Sequence, residues 1–199
     1  MAERGRLIAV EGIDGAGKTT LVDGLARALP QAVVLREPGG VELSERIRTL
    51  VKDPALPVDP RAEALLYAAA RAQLVASRLV PLLESGRVVL LDRFVDSSLA
   101  YQGAGRGLGI EEVAAINAFA TGGLVPDLTL LVRVSAEVGA ARRSGTDRME
   151  QAGEAFFARV VDAYDVLARE SAHRYVVLDG SEAPEAVLSS ALAVMKRLQ

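Results

Sequence analysis

The chain has no cysteine, one histidine and three lysines among its 23 basic residues. Without cysteine there is no disulfide framework, no thiolate metal site and no thiol nucleophile. The lone histidine, His173, sits in a turn-like stretch after a helix pattern, far from every motif below, and is expected at the surface. General acid–base chemistry by histidine therefore has a single weak candidate. Long apolar runs are also missing. The first one, Leu7–Val10, is too short for a signal segment or a membrane span, so no membrane partner and a cytoplasmic location are expected. The formal net charge of -3 implies no bulk attraction to nucleic acid, and no such partner is expected.

Half of the residues are apolar and the mean hydropathy is +0.24, enough for a substantial core. The length predicts one domain over residues 1–199 with a small mobile insert. Strand-length apolar runs alternate with helix-length amphipathic stretches. Strands are expected at Leu7–Glu11, Ala32–Arg36, Val88–Leu91, Leu128–Val134 and Tyr175–Leu178. A long helical pattern covers Pro60–Ser85, with Leu65, Leu66, Leu79, Leu82 and Leu83 as its core positions. A helix is expected around Ser97–Gln102, then a glycine-rich bend over Gly103–Gly109. Ser144–Asp147 reads as polar and loose, and Pro184–Leu198 as the last helix. Five strands separated by helices imply an α/β fold: a parallel sheet with helices on both faces. Ligands in such sheets lie beyond the carboxyl ends of the strands, where the polar motifs fall.

The strongest motif is Gly12-Ile13-Asp14-Gly15-Ala16-Gly17-Lys18-Thr19, which fits G-x-x-x-x-G-K-[ST]. Its glycines let backbone N–H groups turn inward around a phosphate, and the following helix adds the positive end of its dipole. Lys18 reaches the β- and γ-phosphates, and the Thr19 hydroxyl coordinates Mg²⁺. A chance match is on the order of one in several hundred chains of this length. Such a loop names ATP or GTP chemistry but no particular reaction. Asp92 and Arg93 follow the third apolar run. Asp92 is placed to hold the Mg²⁺ shell and Arg93 to face phosphate, with a surface ion pair as the rival reading. The absence of an N-K-x-D segment and of D-x-x-G after this strand argues against a GTP-dependent switch.

Three further segments look built for a second, smaller phosphorylated substrate. Arg36-Glu37-Pro38-Gly39-Gly40 makes a tight bend, and Arg48 on the following helix is a partner for an acceptor phosphate or a solvated cation. Tyr67 and Arg71, four apart, share a helix face. They can stack on a base and bond its edge, unless Tyr67 is a core residue. Ser98, Tyr101 and Gln102 lie on adjacent turns. Finally, Arg142, Arg143 and Arg148 flank a polar loop that can close over a triphosphate. The alternative is a helix end favoured by cations.

Taken together, Glu11–Thr20, Arg36–Gly40, Leu65–Arg71, Asp92–Gln102 and Asp147–Glu150 resemble bacterial thymidylate kinases over essentially the whole chain. The resemblance implies a three-layer P-loop fold with a short lid at about residues 142–150. It implies ATP- and Mg²⁺-dependent conversion of dTMP to dTDP, and a homodimer. Residues 12–20, through Thr20, would bind ATP. Asp14 would reach the acceptor sugar 3′-hydroxyl, and Tyr67 would stack on thymine. Arg71, Ser98 and Gln102 would read the base edge, with Glu37, Pro38 and Ser97 in the same acceptor site. Tyr101 would crowd the 2′ position, and Arg48 and Arg93 would hold the acceptor phosphate. Some relatives carry a basic residue in the phosphate loop where this chain has Gly15; those without it have lid arginines. Arg142, Arg143 or Arg148 would then contact the transferred phosphoryl group, in an order the sequence does not set. Another nucleoside monophosphate or deoxynucleoside kinase is the nearest alternative.

Overall fold

A computed structural model describes residues 4–143, 145 and 147–196. Five parallel strands form one sheet in the order β2-β3-β1-β4-β5. They are β1 (Leu7–Glu11), β2 (Val33–Arg36), β3 (Val89–Asp92), β4 (Leu128–Arg133) and β5 (Tyr175–Asp179). All five residues of β1 are buried, as a central parallel strand requires. Its alternate side chains feed two cores. Ile8 and Val10 join one cluster with β4 and the helices α1 (Lys18–Ala28), α8 (Glu154–Glu170) and α9 (Pro184–Met195). Leu7 and Ala9 join the other, which includes Leu74, Leu79 and Leu83. The period of two thus supplies apolar surface to both faces.

The register sets the site. Val10 and Arg36 both pair with Asp92, so the ends of β1, β2 and β3 lie level at the carboxyl edge. Glu37 N donates to the Asp92 carbonyl at 2.9 Å, extending that edge into the bend.

The long helix runs as α3 (Pro60–Leu74), a π-helical turn (Val75–Leu79) and α4 (Val80–Glu84). Asp59 caps it by accepting from Arg61 N, with Pro60 at the first helical position. One expected core position is overturned: Leu65 is 56% exposed, whereas Glu63, two residues earlier, is fully buried. The face of α3 at Glu63, Tyr67 and Arg71 is turned inward by its polar partners. A second correction concerns the glycine-rich stretch. After α5 (Val95–Ser98) the chain continues as a π-helix over Leu99–Gly105, so Gly103–Gly105 is helical rather than bent. A β-carbon on Gly105 would lie 2.6 Å from Phe156 of α8; close helix contact is the reason for glycine there. The chain reverses only at 106–109 before α6 (Ile110–Thr121). The remaining helices are α2 (Glu42–Lys52) and α7 (Ala136–Arg142). Within the stretch expected to form a lid, Ser144 and Thr146 lie outside the described residues, as does the end of the last expected helix, residues 197–199.

Candidate active site

A cleft of about 210 Å³ opens at the carboxyl edge of the sheet, and Asp14, Lys18, Thr19, Glu37, Pro38, Arg48, Tyr67, Arg71, Asp92, Arg93, Ser97, Ser98, Tyr101 and Gln102 all line it. Fourteen residues expected from sequence thus meet in one space.

The phosphate loop joins β1 to α1 with Gly12, Gly15 and Gly17 at positive φ. A β-carbon on Gly12 would come 2.4 Å from the Val132 carbonyl, so only glycine lets the loop lie against β4. No side chain caps α1, so its first-turn N–H groups have no side-chain acceptor, as an anion-binding helix start requires. Thr19 and Thr20 are exposed. Lys18 Nζ folds back to donate to the Ile13 carbonyl at 2.8 Å. Burial, seconded by the Arg93 charge, brings its pKa down to about 8. Asp92 Oδ1 is buried with no hydrogen-bond partner. An orphaned carboxylate oxygen in the cleft that Thr19 also lines suits a hard divalent cation that draws its other ligands from phosphate and water. Among the described residues no cluster of three or more acidic, histidine or cysteine side chains offers a cation site of its own.

Arg93 is the hub between loop and acceptor side. Its backbone is left-handed, with φ 68°, a conformation that costs energy outside glycine. Buried Glu11 holds it by accepting from Phe94 N at 2.7 Å and from Ser97 Oγ at 2.6 Å. Tyr164 OH donates to the same carboxylate at 2.8 Å. Arg93 then donates to the Gly12 carbonyl at 2.9 Å, Ser97 Oγ at 3.0 Å and Asp14 Oδ1 at 2.6 Å. Tyr101 OH donates to Asp14 Oδ2 at 3.0 Å. Burial works against ionisation of Asp14, but Arg93 and Lys18 outweigh it and hold its pKa at about 2.

At the far end Arg71 is 2% exposed. It donates through Nε to Glu37 at 2.7 Å, through Nη1 to Ser98 Oγ at 2.9 Å and to Asn117 Oδ1, and through Nη2 to the Phe94 carbonyl at 2.9 Å. Of five guanidinium N–H groups, one on Nη2 is left for a ligand. Burial pushes Glu37 up to about 7 despite the opposing pull of Arg71. Arg48 donates to the Pro38 carbonyl at 2.9 Å and projects into the same cleft. Tyr67 packs against the small cluster of Ile47, Val51 and Ala70 and also lines the cleft.

The three lid arginines separate. The α7 helix passes the phosphate loop, and a β-carbon on Gly15 would be 3.2 Å from Arg142 Cβ. A larger residue at Gly15 and Arg142 therefore share one neighbourhood. Arg142 donates to the Gly180 carbonyl at 3.0 Å. Arg143 lies 3.6 Å over the Phe157 ring, with Nη1 buried and unpartnered. Arg148 instead is tied to the acceptor wall: Nε to the Val51 carbonyl at 3.1 Å and Nη1 to Glu63 at 2.7 Å. Lys52 adds an ion pair to Asp147 at 2.7 Å.

Sequence reading missed Glu11, Glu63, Arg106, Asn117 and Tyr164 as parts of this machinery. For Glu63 there was a signal, because Glu63, Tyr67 and Arg71 are spaced by four along α3. Asn117, four after buried Val113 in an apolar helix, is a weaker one.

The sequence signature of the family described as Thymidylate kinase matches residues 10–191. The chain is 46% identical to the thymidylate kinase of Oenococcus oeni, over 98% of this chain and 96% of that one. It is 42% identical to that of Halalkalibacterium halodurans, over 98% and 97%. Its fold superposes on the crystal structure of thymidylate kinase from Ehrlichia chaffeensis with a TM-score of 0.81, at 30% identity and covering 97% and 99% of the two chains. With the phosphate loop and the acceptor cleft in the places described, the chain belongs to the thymidylate kinase family.

Proposed function

We propose that this chain transfers the γ-phosphoryl group of ATP to the phosphate of dTMP, giving ADP and dTDP. The observation that carries the reading is the single cleft shared by Lys18 and Thr19 of the phosphate loop and by Arg48, Tyr67, Arg71, Arg93 and Gln102. Donor and acceptor groups face each other across it.

In this reading residues 12–20 cradle the triphosphate, and Lys18 donates to its β- and γ-phosphates. Mg²⁺ bound with the triphosphate supplies charge neutralisation, and Thr19 and Asp92 would hold it. Arg48 and Arg93 hold the acceptor phosphate. Asp14, kept ionised by Arg93 and Lys18, accepts from the sugar 3′-hydroxyl. Tyr101, anchored by Asp14, fills the space a 2′-hydroxyl would need. Tyr67 stacks on the base, while the free N–H of Arg71 and the amide of Gln102 meet its edge. The acceptor oxygen is ionised near pH 7, since a phosphomonoester has its second pKa near about 6. No general base is then required. The protein's task is to bring two polyanions together in line and neutralise their repulsion. Arg142 and Arg143 serve the transferring phosphoryl group from the donor side, and Arg148 anchors the lid to the acceptor wall.

The same reading treats the chain as one domain with a lid at 142–150, working in the cytoplasm, where cell fractionation would find it. It pairs two copies in a homodimer. Support for pairing comes from exposed Leu43 and Leu50 on α2, Leu65 on α3 and Phe119 on α6, three helices packed side by side. Sedimentation of the parent as a monomer at micromolar concentration would remove it.

The test of the reaction is a coupled ADP-release assay with dTMP, dUMP, CMP, AMP and thymidine as acceptors. The highest kcat/KM is expected for dTMP. A higher value for any other acceptor contradicts the assignment.

A further inference from the structure

A glutamine amide presents a donor at one end and an acceptor of nearly the same size at the other, so its sense must be read from its partners. At Gln102 the sense is set by one buried carboxylate. Gln102 Nε2 donates to Glu63 Oε1 at 2.8 Å. Glu63 is fully buried, and every other contact it makes is also with a donor. Arg106 Nε lies 3.3 Å from Oε1 and Arg106 Nη2 3.1 Å from Oε2. Arg148 Nη1 donates to Oε2 at 2.7 Å. A carboxylate gripped by two guanidinium groups can only accept. Turning the amide over would set two acceptor oxygens against each other in a buried place. Gln102 Oε1 has no hydrogen-bond partner among the described residues, yet it is not among the buried unpaired atoms. Gln102 also lines the cleft, so its carbonyl oxygen is the end offered to a ligand.

We propose that Glu63 is a positioning residue for base selection: it locks Gln102 with its carbonyl toward the cleft, so that the site takes a pyrimidine carrying a ring N–H and refuses one whose ring nitrogen bears a lone pair. The inference rests on the reading above, in which the base lies beside Arg71 and Gln102. Thymine offers carbonyl, N3–H and carbonyl along its edge. The free N–H of Arg71 and the Gln102 oxygen complement two of these in turn. Cytosine places a lone pair at N3, opposite the Gln102 oxygen, and a site built to pair one group discriminates strongly against its absence. Glu63 touches no ligand in this arrangement and acts through Gln102.

The experiment measures kcat/KM for dTMP and dCMP in the parent, in Glu63→Gln, in Gln102→Leu and in the exchanged double variant E63Q/Q102E. In Glu63→Gln either end of the introduced amide can face Gln102, so the lock is lost. The dTMP/dCMP ratio is expected to fall about tenfold or more, with KM for ATP unchanged. In E63Q/Q102E the carboxylate at position 102 again offers only acceptors to the cleft, and the preference for dTMP is expected to return. A uniform loss of activity in Glu63→Gln with the ratio unchanged would overturn the positioning role, because a purely structural defect has no reason to favour one base. Should Glu63→Gln not fold, Glu63→Asp measured in the same way decides: its carboxylate is one methylene short of Gln102 Nε2, which the parent holds at 2.8 Å, so a lowered dTMP/dCMP ratio upholds the lock and a ratio at the parent value overturns it. Gln102→Leu separates the two layers of the argument. If it leaves the ratio at the parent value, Gln102 does not read the base, and the underlying site reading fails together with the inference; if it lowers the ratio while Glu63→Gln does not, only the inference fails.

Discussion

The acceptor end of the cleft is built mainly from buried side chains that hydrogen-bond one another, whereas the phosphate-loop end presents more of its groups to solvent; each end keeps an unpartnered buried oxygen, Glu37 Oε1 at the first and Asp92 Oδ1 at the second. Arg71 bonds Glu37, Ser98 and Asn117, Gln102 bonds Glu63, and all six side chains are buried. At the phosphate-loop end Thr19 and Thr20 are exposed, the first turn of α1 has no side-chain cap, and Asp92 Oδ1 is unpartnered. The difference follows from what each ligand brings. A base has one small edge to be told from another, and that requires donors and acceptors fixed before it arrives. In the proposed reading a triphosphate with its cation would bring the strongest charges in the site and complete the donor end on binding.

Removing the single donor-side ammonium should break the comparison most severely. Lys18→Ala is expected to lower kcat by roughly 10³-fold or more while dTMP affinity, measured by calorimetry without ATP, stays within about twofold. Near-normal turnover would show that the loop does not bind the reacting phosphates. On the acceptor side Arg71→Lys keeps the charge but removes the fork that serves Glu37, Ser98, Asn117 and the Phe94 carbonyl at once. Its kcat/KM for dTMP should drop about 10²-fold, chiefly through KM, with KM for ATP little changed. Equal losses for both substrates would contradict a separate acceptor network.

A smaller effect sharpens the same contrast through pH. Lys18 titrates at about 8 in the free protein, and only its charged form donates to phosphate. The kcat/KM for ATP should therefore be flat below that pH and fall as pH rises through about 8. Bound phosphates favour the ammonium, so the fall in kcat should come at higher pH. Stability responds in the opposite sense. Between about 8 and the ordinary value of 10.5 the unfolded chain binds more protons at this residue, so its contribution to stability rises with pH across that window. At the acceptor end Glu37 titrates at about 7 and pairs best with Arg71 when ionised. The kcat/KM for dTMP should rise as pH climbs through that value, and Glu37→Gln should leave only the step near about 6 that belongs to the substrate phosphate. Identical pH profiles for the two substrates would erase the distinction.

How much was legible in the sequence differs between these regions as well. The phosphate loop was fully readable because its chemistry is local: glycines, lysine and threonine lie within eight positions, between a strand and a helix. The five strands were readable from their apolar runs, with ends shifted by a residue or so. The buried hydrogen-bonded cluster around Arg71 and Glu63 was readable mainly in its members that line the cleft. Its supports come from distant segments. Glu63 meets Arg106 43 residues later and Arg148 85 residues later, and no local period announces either contact. That is also why Leu65 read as core: an apolar pattern places leucine inside unless a buried carboxylate with three donors claims the inner face. The π-helical turn after Ser98 was hidden for a related reason, since Gly103 and Gly105 looked like a bend and instead serve close packing against α6 and α8. Among the lid arginines, residue type and spacing could not separate Arg148 from Arg142 and Arg143, because the separation depends on which wall each one reaches.

The proposed division between a prebuilt acceptor site and a donor end completed by its ligand together with Arg142 and Arg143 is tested most directly by one paired measurement on the double variant R142A/R143A: the dissociation constant for dTMP alone, by calorimetry, and single-turnover phosphoryl transfer at saturating ATP and dTMP. The account predicts dTMP affinity within about twofold of the parent and a transfer rate lower by about 10²-fold or more. A loss of dTMP affinity as large as the loss in rate, or transfer at the parent rate, would contradict it.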